Sequence, residues 1–313
     1  MFLDEVQNIP HWDKFVRRLT DAKYRVYVTG SNAKMLSKEV ATTLGGRFFI
    51  YDAYPYSFKE YLAAQHVELK EHWEYDTIQR SEVKRHLNEY FYYGGLPEIL
   101  SFKNKRAMLS SLYQKIYLGD ICARNNIKND RVMNILIKKI AESVKQPLSF
   151  NRLRNVIVST GAALSVPTTI DYAGYVADSW LMLPMENEVG KLTEKGAQKK
   201  YYFIDNGLLN LFLMNSETSL LENMVAVELF RRYSKENVYY LHTDKEIDFI
   251  VPDEKLAIQV SYSIKEESTY NREVLPLAKY AKAHKDWKCL LITHDEEGIE
   301  EGIPVVPVWK WLL

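Results

Sequence analysis

A chain of 313 residues, 47% hydrophobic and 26% charged, has the composition of a soluble globular protein and length for two or three domains. Its 41 basic and 41 acidic side chains cancel, which excludes a molecule drawn as a whole to nucleic acid or to an anionic membrane. No eighteen-residue apolar run and no basic region ahead of a signal-peptide core can be read, and the two distant cysteines, Cys122 and Cys289, read as small core residues of a reduced cytoplasmic protein.

The chain opens on Met1-Phe2-Leu3-Asp4-Glu5-Val6-Gln7-Asn8, a short apolar run ending in two adjacent carboxylates. If Phe2 and Leu3 close a buried parallel strand, Asp4 and Glu5 stand at its carboxyl end, where open α/β sheets bind ligands. One carboxylate there can hold Mg²⁺ while its neighbour orients an attacking water, the second half of a nucleotide-hydrolysing P-loop site. The first half, G-x-x-x-x-G-K-[ST], does not occur in the 313 residues. The expectation is a nucleotide-site protein whose phosphate-cradling loop lay upstream. Taken alone, Asp-Glu is more simply a solvated pair at a strand end.

Trp12, Phe15, Val16 and Leu19, spaced i, i+3, i+4, i+7, predict a helix over His11–Leu19. Alternating Tyr24, Val26 and Val28 predict a strand over Lys23–Thr29, followed by Gly30-Ser31-Asn32. Ser31 or Asn32 can bond a γ-phosphate or its attacking water, or cap the next helix. That helix is expected over Met35–Thr43, ending at Gly45-Gly46-Arg47, with a short strand over Phe48–Tyr51. Arg47 suits a nucleotide phosphate of its own subunit, one of a neighbour in a homo-oligomer, or the exposed carbonyls of a helix end. Ser57 and Glu60 form a capping box for a helix through Leu62.

F-L-D-E-V-Q-N, Y-V-T-G-S-N, L-G-G-R and Y-P-Y-S-F-K-E-Y-L, in this order and spacing, resemble the prokaryotic AAA-type ATPases that carry a C-terminal domain of unknown function. The likeness runs through essentially the whole chain, beginning at the Walker B strand. It implies an α/β fold: the remnant of a P-loop AAA-type parallel sheet over residues 1–66, a helical lid or linker over 67–130, a winged helix-turn-helix over 131–205, and a restriction-endonuclease-like α/β domain over 206–313. It implies ATP and Mg²⁺ as cofactors, with Asp4 on the Mg²⁺ side, Glu5 orienting water, Ser31 and Asn32 as sensor, and Arg47 as finger. Lacking an amide-lined loop and its lysine, these residues alone are expected to bind nucleotide weakly or not at all, and to hydrolyse it hardly at all.

Gln79–Tyr92 and Leu109–Asp120 read as helices around Gly94-Gly95-Leu96-Pro97-Glu98. The resemblance makes this the lid; the glycines themselves need only a tight interhelical turn. From Val132 the stripe Met133, Leu136, Ile137, Ile140 and Val144 predicts a helix, and Pro147 breaks it. Ser149 caps a second helix over Arg152–Val158, and Pro167 opens a third over Thr168–Ser179. Strands over Trp180–Glu188 and Lys199–Ile204 complete a winged-helix pattern, whose last helix can enter a major groove. Here that helix holds Asp171 and Asp178 and no cation. A phosphate-binding surface would therefore use Arg152, Arg154, Lys199 and Lys200. A protein-packing role fits at least as well.

An amphipathic helix over Leu221–Tyr233 carries Glu228 on its apolar face. Strands over Val238–Leu241, Glu246–Val251 and Leu256–Val260, a helix over Ser268–His284 and strands over Lys288–Thr293 and Ile303–Val308 follow. This order is similar to the core of restriction-endonuclease-like nucleases, which need an acid on the second strand and E-x-K on the third. The chain has Asp248, then Gln259-Val260-Ser261. That reads as a scaffold without nuclease chemistry, with Glu228, Asp248 and Gln259 as remnants. The first reading of function is an ATP-binding AAA-type protein that does not hydrolyse ATP unaided. The alternative is a non-catalytic module holding DNA or a partner protein. No membrane partner is expected.

Overall fold

The first thirty residues are as apolar as the chain at large, but the element they build is small. β1 (Phe2–Leu3) lies parallel to β2 (Tyr27–Val28), joined through α1 (Trp12–Asp21). Val6, Trp12 and Val16 bury against Leu3, Val26 and Val28. The strand expected over Lys23–Thr29 shrinks to two residues because β1 offers only two to pair with. This computed structural model describes residues 1–6, 9–30, 47–189, 198–243 and 246–313. The helix expected over Met35–Thr43, its Gly45-Gly46 end, and Ser31 and Asn32 lie outside the described residues. Phe48–Tyr51, expected as a strand, is not one: Phe49 and Tyr51 are each 88% exposed, and among the described residues no strand pairs with them.

From Ser57 the chain enters one continuous core. Ser57 accepts from Glu60 N while Glu60 accepts from Ser57 N, the reciprocal pair that starts α2 (Phe58–Ala64). α2 buries Phe58, Tyr61 and Leu62 against α3 (Thr77–Tyr93), which begins where Asp76 caps Ile78 N and Gln79 N. α4 (Lys105–Lys115) continues into a π-helical segment, Ile116–Ala123. α5 (Asp130–Glu142) buries the stripe read from its sequence: Met133, Leu136, Ile137 and Ile140. β3 (Leu148–Ser149), α6 (Phe150–Ser159) and α7 (Val166–Asp178) follow, then β4 (Met182–Met185), β5 (Gln198–Phe203) and a short α8 (Asn206–Asn210). The last three strands form an antiparallel sheet in the order β3-β5-β4.

The C-terminal third is a six-stranded mixed sheet. Its strands are β6 (Tyr239–His242), β7 (Glu246–Val251), β8 (Leu256–Ser261), β9 (Lys288–Thr293), β10 (Gly298–Glu300) and β11 (Ile303–Pro307), in the order β10-β11-β9-β8-β7-β6. β8, β9 and β11 run parallel; the other neighbours are antiparallel. One face carries Phe249, Val251, Ile258 and Ile292 into the large core beneath α9 (Glu217–Tyr233). The other packs Ile250, Ala257 and Leu291 against Val274, Leu277 and Ala278 of α10 (Glu267–Ala283). Covering both faces accounts for the nearly unbroken apolar runs in β7 to β9. The fold is mixed α/β, as the sequence predicted. Among the described residues no helix is long and apolar enough to cross a membrane.

Candidate functional site

The parallel register of β1 and β2 decides what stands at their carboxyl ends. Phe2 pairs with Tyr27 and Leu3 with Val28, so the next residues, Asp4 and Thr29, are neighbours. Thr29 N donates to Leu3 O at 2.9 Å, Val6 N donates to Thr29 O at 3.3 Å, and the Thr29 hydroxyl donates to Asp4 Oδ1. A carboxylate oriented by a hydroxyl at a strand end is a hard oxygen donor of the kind Mg²⁺ takes in ones and twos, filling its remaining positions with water and phosphate oxygens. These residues therefore fit a nucleotide-borne Mg²⁺. Glu5 follows with a left-handed φ of 48° and an exposed side chain. Ser31 and Asn32 lie outside the described residues, just past Thr29. Arg47 is 83% exposed at its side chain and sits 3.7 Å from Asp21 at the end of α1. Thr29 was missed by the sequence reading, although a threonine one residue beyond a parallel strand of matching register was the available signal.

A second cluster forms where the three-stranded and six-stranded sheets meet. Lys200 was expected on a nucleic-acid surface, but the strict alternation of β5 turns it inward with Tyr202, and it is 0% exposed. Its Nζ lies 3.3 Å from Glu222 Oε1, 2.8 Å from Glu246 Oε1 and 3.2 Å from Asp248 Oδ1. Tyr202 donates to Glu222 Oε1 at 2.8 Å. Burial alone would pull the Lys200 ammonium down, but Glu222, the Tyr202 phenol, Asp248 and Glu246 outweigh it and hold it well above its ordinary value. Burial, then the neighbouring Glu222, push the Asp248 carboxyl up.

Beyond the pair Phe249 and Ile258 the β7–β8 ladder gives way to side chains. Val260 N donates to Asp248 Oδ2 at 3.0 Å, and Asp248 N donates to Gln259 Oε1 at 3.2 Å. Gln259 Nε2 in turn donates to Glu273. A neutral amide suits this place because it must accept on one side and donate on the other, which no carboxylate does.

Glu228, read from the sequence as a nuclease-like remnant together with Asp248 and Gln259, is held by Arg231 and Arg232 one turn further along α9. Glu222 is the α9 acid that shares Lys200 with Asp248. α9 is buried on every side from Leu220 to Phe230, so no apolar stripe marks which of its acids points where. Of the other expected cations, Lys199 is paired with Glu186 at 2.8 Å, Arg152 is exposed, and Arg154 Nε donates to Leu164 O at 3.1 Å. Arg154 also lines an open cavity of about 620 Å³ between α5, α6 and α7, with Val132, Ser165 and Tyr172.

Comparison with known proteins assigns the parts. Residues 1–62 match the model of an AAA domain, residues 84–219 a domain of unknown function (DUF8612), and residues 217–311 another domain of unknown function (DUF4143). An uncharacterised protein of Methanocaldococcus jannaschii is 33% identical over 335 residues, spanning 100% of this chain and 74% of that protein. An uncharacterised protein of Haemophilus influenzae is 31% identical over 324 residues, spanning 99% of this chain and 76% of that one. Both curated relatives are thus matched over about three quarters of their length. With an AAA domain at its start and DUF4143 at its end, the chain belongs to the family of AAA-type ATPases that carry a C-terminal domain of unknown function.

Proposed function

We propose that residues 1–66 supply the acidic half of an ATP site. Asp4 takes the Mg²⁺ side, Glu5 orients the attacking water, Ser31 and Asn32 sense the γ-phosphate, and Arg47 acts as finger within or between subunits. The observation that carries this reading is the parallel pairing of β1 with β2, with the Thr29 hydroxyl on Asp4 at their carboxyl ends. The match of residues 1–62 to an AAA domain supports it. The backbone amides and lysine that cradle phosphates belong to a G-x-x-x-x-G-K-[ST] loop that these 313 residues do not contain. The residues alone therefore bind ATP weakly and turn it over at no measurable rate. Phosphate release tests this: the 313-residue chain stays silent, and a fusion that adds a strand and such a loop ahead of Met1 gains Mg²⁺-dependent turnover that Glu5→Gln removes. Turnover by the unfused chain that Glu5→Gln abolishes, or a silent fusion with a folded core, would sink the proposal.

In this reading residues 67–130 form a lid or linker, 131–205 a winged helix and 206–313 a nuclease-like domain without nuclease chemistry. The winged helix packs against protein rather than reading DNA. What favours this is the fate of its cations: Lys200 is buried, and Lys199 is paired with Glu186. Absence of a low-salt shift with duplex DNA is the expected result. A shift lost in Arg152→Ala with Arg154→Ala would contradict it.

A further inference from the structure

One ammonium ties two sheets together. Lys200 reaches from β5 into a group of acids carried by α9 (Glu222) and β7 (Glu246 and Asp248), and no part of its side chain meets solvent. The Tyr240 ring of β6 lies 5.7 Å from the ammonium, and the Tyr202 hydroxyl of β5 is bonded to Glu222. His242 of β6 stands 3.9 Å from Glu246, and Glu273 of α10 adds a further negative charge behind Gln259. Beside the cluster the backbone is stitched as well: Glu188 N donates to Tyr240 O at 2.8 Å and Tyr240 N to Glu186 O at 3.0 Å.

We propose that Lys200 is a built-in cation that latches the β4–β5 hairpin onto the acidic end of the six-stranded sheet, the closure of this crevice depending on three carboxylates being matched by that one ammonium. This inference does not rest on the nucleotide reading. Glu222 and Asp248 are buried and Glu246 is half-buried, and such carboxylates deprived of their cation repel one another and are poorly solvated. They must then take up protons or let water in, and letting water in means lifting the hairpin. The direction follows: without the ammonium these acids prefer their neutral form when closed, so closure survives at low pH and is lost as pH rises. With the ammonium, closure holds across the neutral range.

The test is hydrogen exchange on the full chain, wild type against Lys200→Met, with protection factors compared at pH 5.5 and pH 8, on the order of a unit either side of neutral, where titration of such acids is read. Wild type should keep the same protection in β4, β5 and residues 186–188 at both. The variant should lose roughly tenfold or more there at pH 8 and regain most of it at pH 5.5, with α10 and β11 unchanged. Equal loss at both pH values would reduce Lys200 to packing and overturn the latch, as would no loss. Should Lys200→Met not fold at either pH, the double variant Lys200→Met with Glu222→Gln decides. A regained fold supports the latch; a chain still unfolded overturns it.

Discussion

Asp205 is buried with both carboxylate oxygens turned to backbone amides. Gly95 N donates to Oδ2 at 2.7 Å and Gly207 N to Oδ1 at 2.8 Å. Burial raises its pKa to about 6, and the amides of Gly95, Gly207, Leu208 and Leu96 restrain that rise. The sign follows from linkage: the folded state holds this proton more tightly than the unfolded chain, so the contribution is largest at low pH and is lost as pH rises through about 6. Asp205→Asn makes stability flatter across that window. It also turns an NH₂ group toward a backbone N–H, which costs about 1–3 kcal/mol. Denaturant midpoints at pH 4.5 and 7 should therefore show a larger deficit at the lower pH, on the order of a unit below the folded pKa; a deficit independent of pH would contradict the assignment. Gly94 next to it has φ +76°, and an added Cβ would lie 2.0 Å from Asp205 Oδ1. Gly94→Ala should cost about 2–4 kcal/mol by urea unfolding. Gly174→Ala in α7, where nothing lies within 4 Å, should stabilise by about 0.5–1 kcal/mol.

Elements whose cause is local could be read directly. The Ser57–Glu60 box is present as expected, and burial opposes the two Ser57 hydrogen bonds that hold the Glu60 carboxyl below its usual range. Ser57→Ala should lower stability by about 1 kcal/mol at pH 7, and by less as pH falls through the Glu60 pKa and its charge is neutralised. Thermal melts at both ends of that range measure it, and an equal loss at each would count against the box. Strands Glu246–Val251 and Lys288–Thr293 match their expected bounds, the first ending at the Pro252–Glu254 turn. α9 starts at Glu217, one turn ahead of Leu221, where the sequence pattern placed its start. Phe48–Tyr51 failed as a strand because an apolar run does not by itself supply a partner. The polar contacts of α9 could not be read at all: Asn223 bonds Phe203 twice and Asn206 once, and Asn206 reaches Phe91 O and Leu220 O, links that exist only after folding. The same blindness hid that Glu222 is the α9 acid sharing Lys200 with Asp248.

At the scale of the molecule, the last turn of α9 ties the segment around Pro55 to the C-terminal helix. Arg231 donates to Pro55 O at 2.7 Å and lies 5.7 Å from the Tyr54 ring, so it grips the chain near the end of the AAA match, residues 1–62. Beside it Tyr56 N donates to Gly95 O, and the Tyr90 hydroxyl donates to Tyr56 O. Arg232 donates to Trp311 O at 3.1 Å and stacks 4.4 Å from the Trp311 ring in the final helix, α11 (Val308–Trp311). Glu228 aims both guanidinium groups, and its side chain is only 8% exposed. Glu228→Ala should cost about 2–4 kcal/mol, because two partly buried cations lose their anion together. If Glu228 works as a common anchor, exchange at residues 54–56 and 309–312 should speed up in step, while β8 and β9 keep their protection. Glu228→Gln, which keeps a hydrogen-bond acceptor without charge, should fall between wild type and alanine. Acceleration at one end alone, or an even loosening of the whole sheet, would show that the arginines are held independently and that the AAA segment and the C-terminal helix share no anchor at α9.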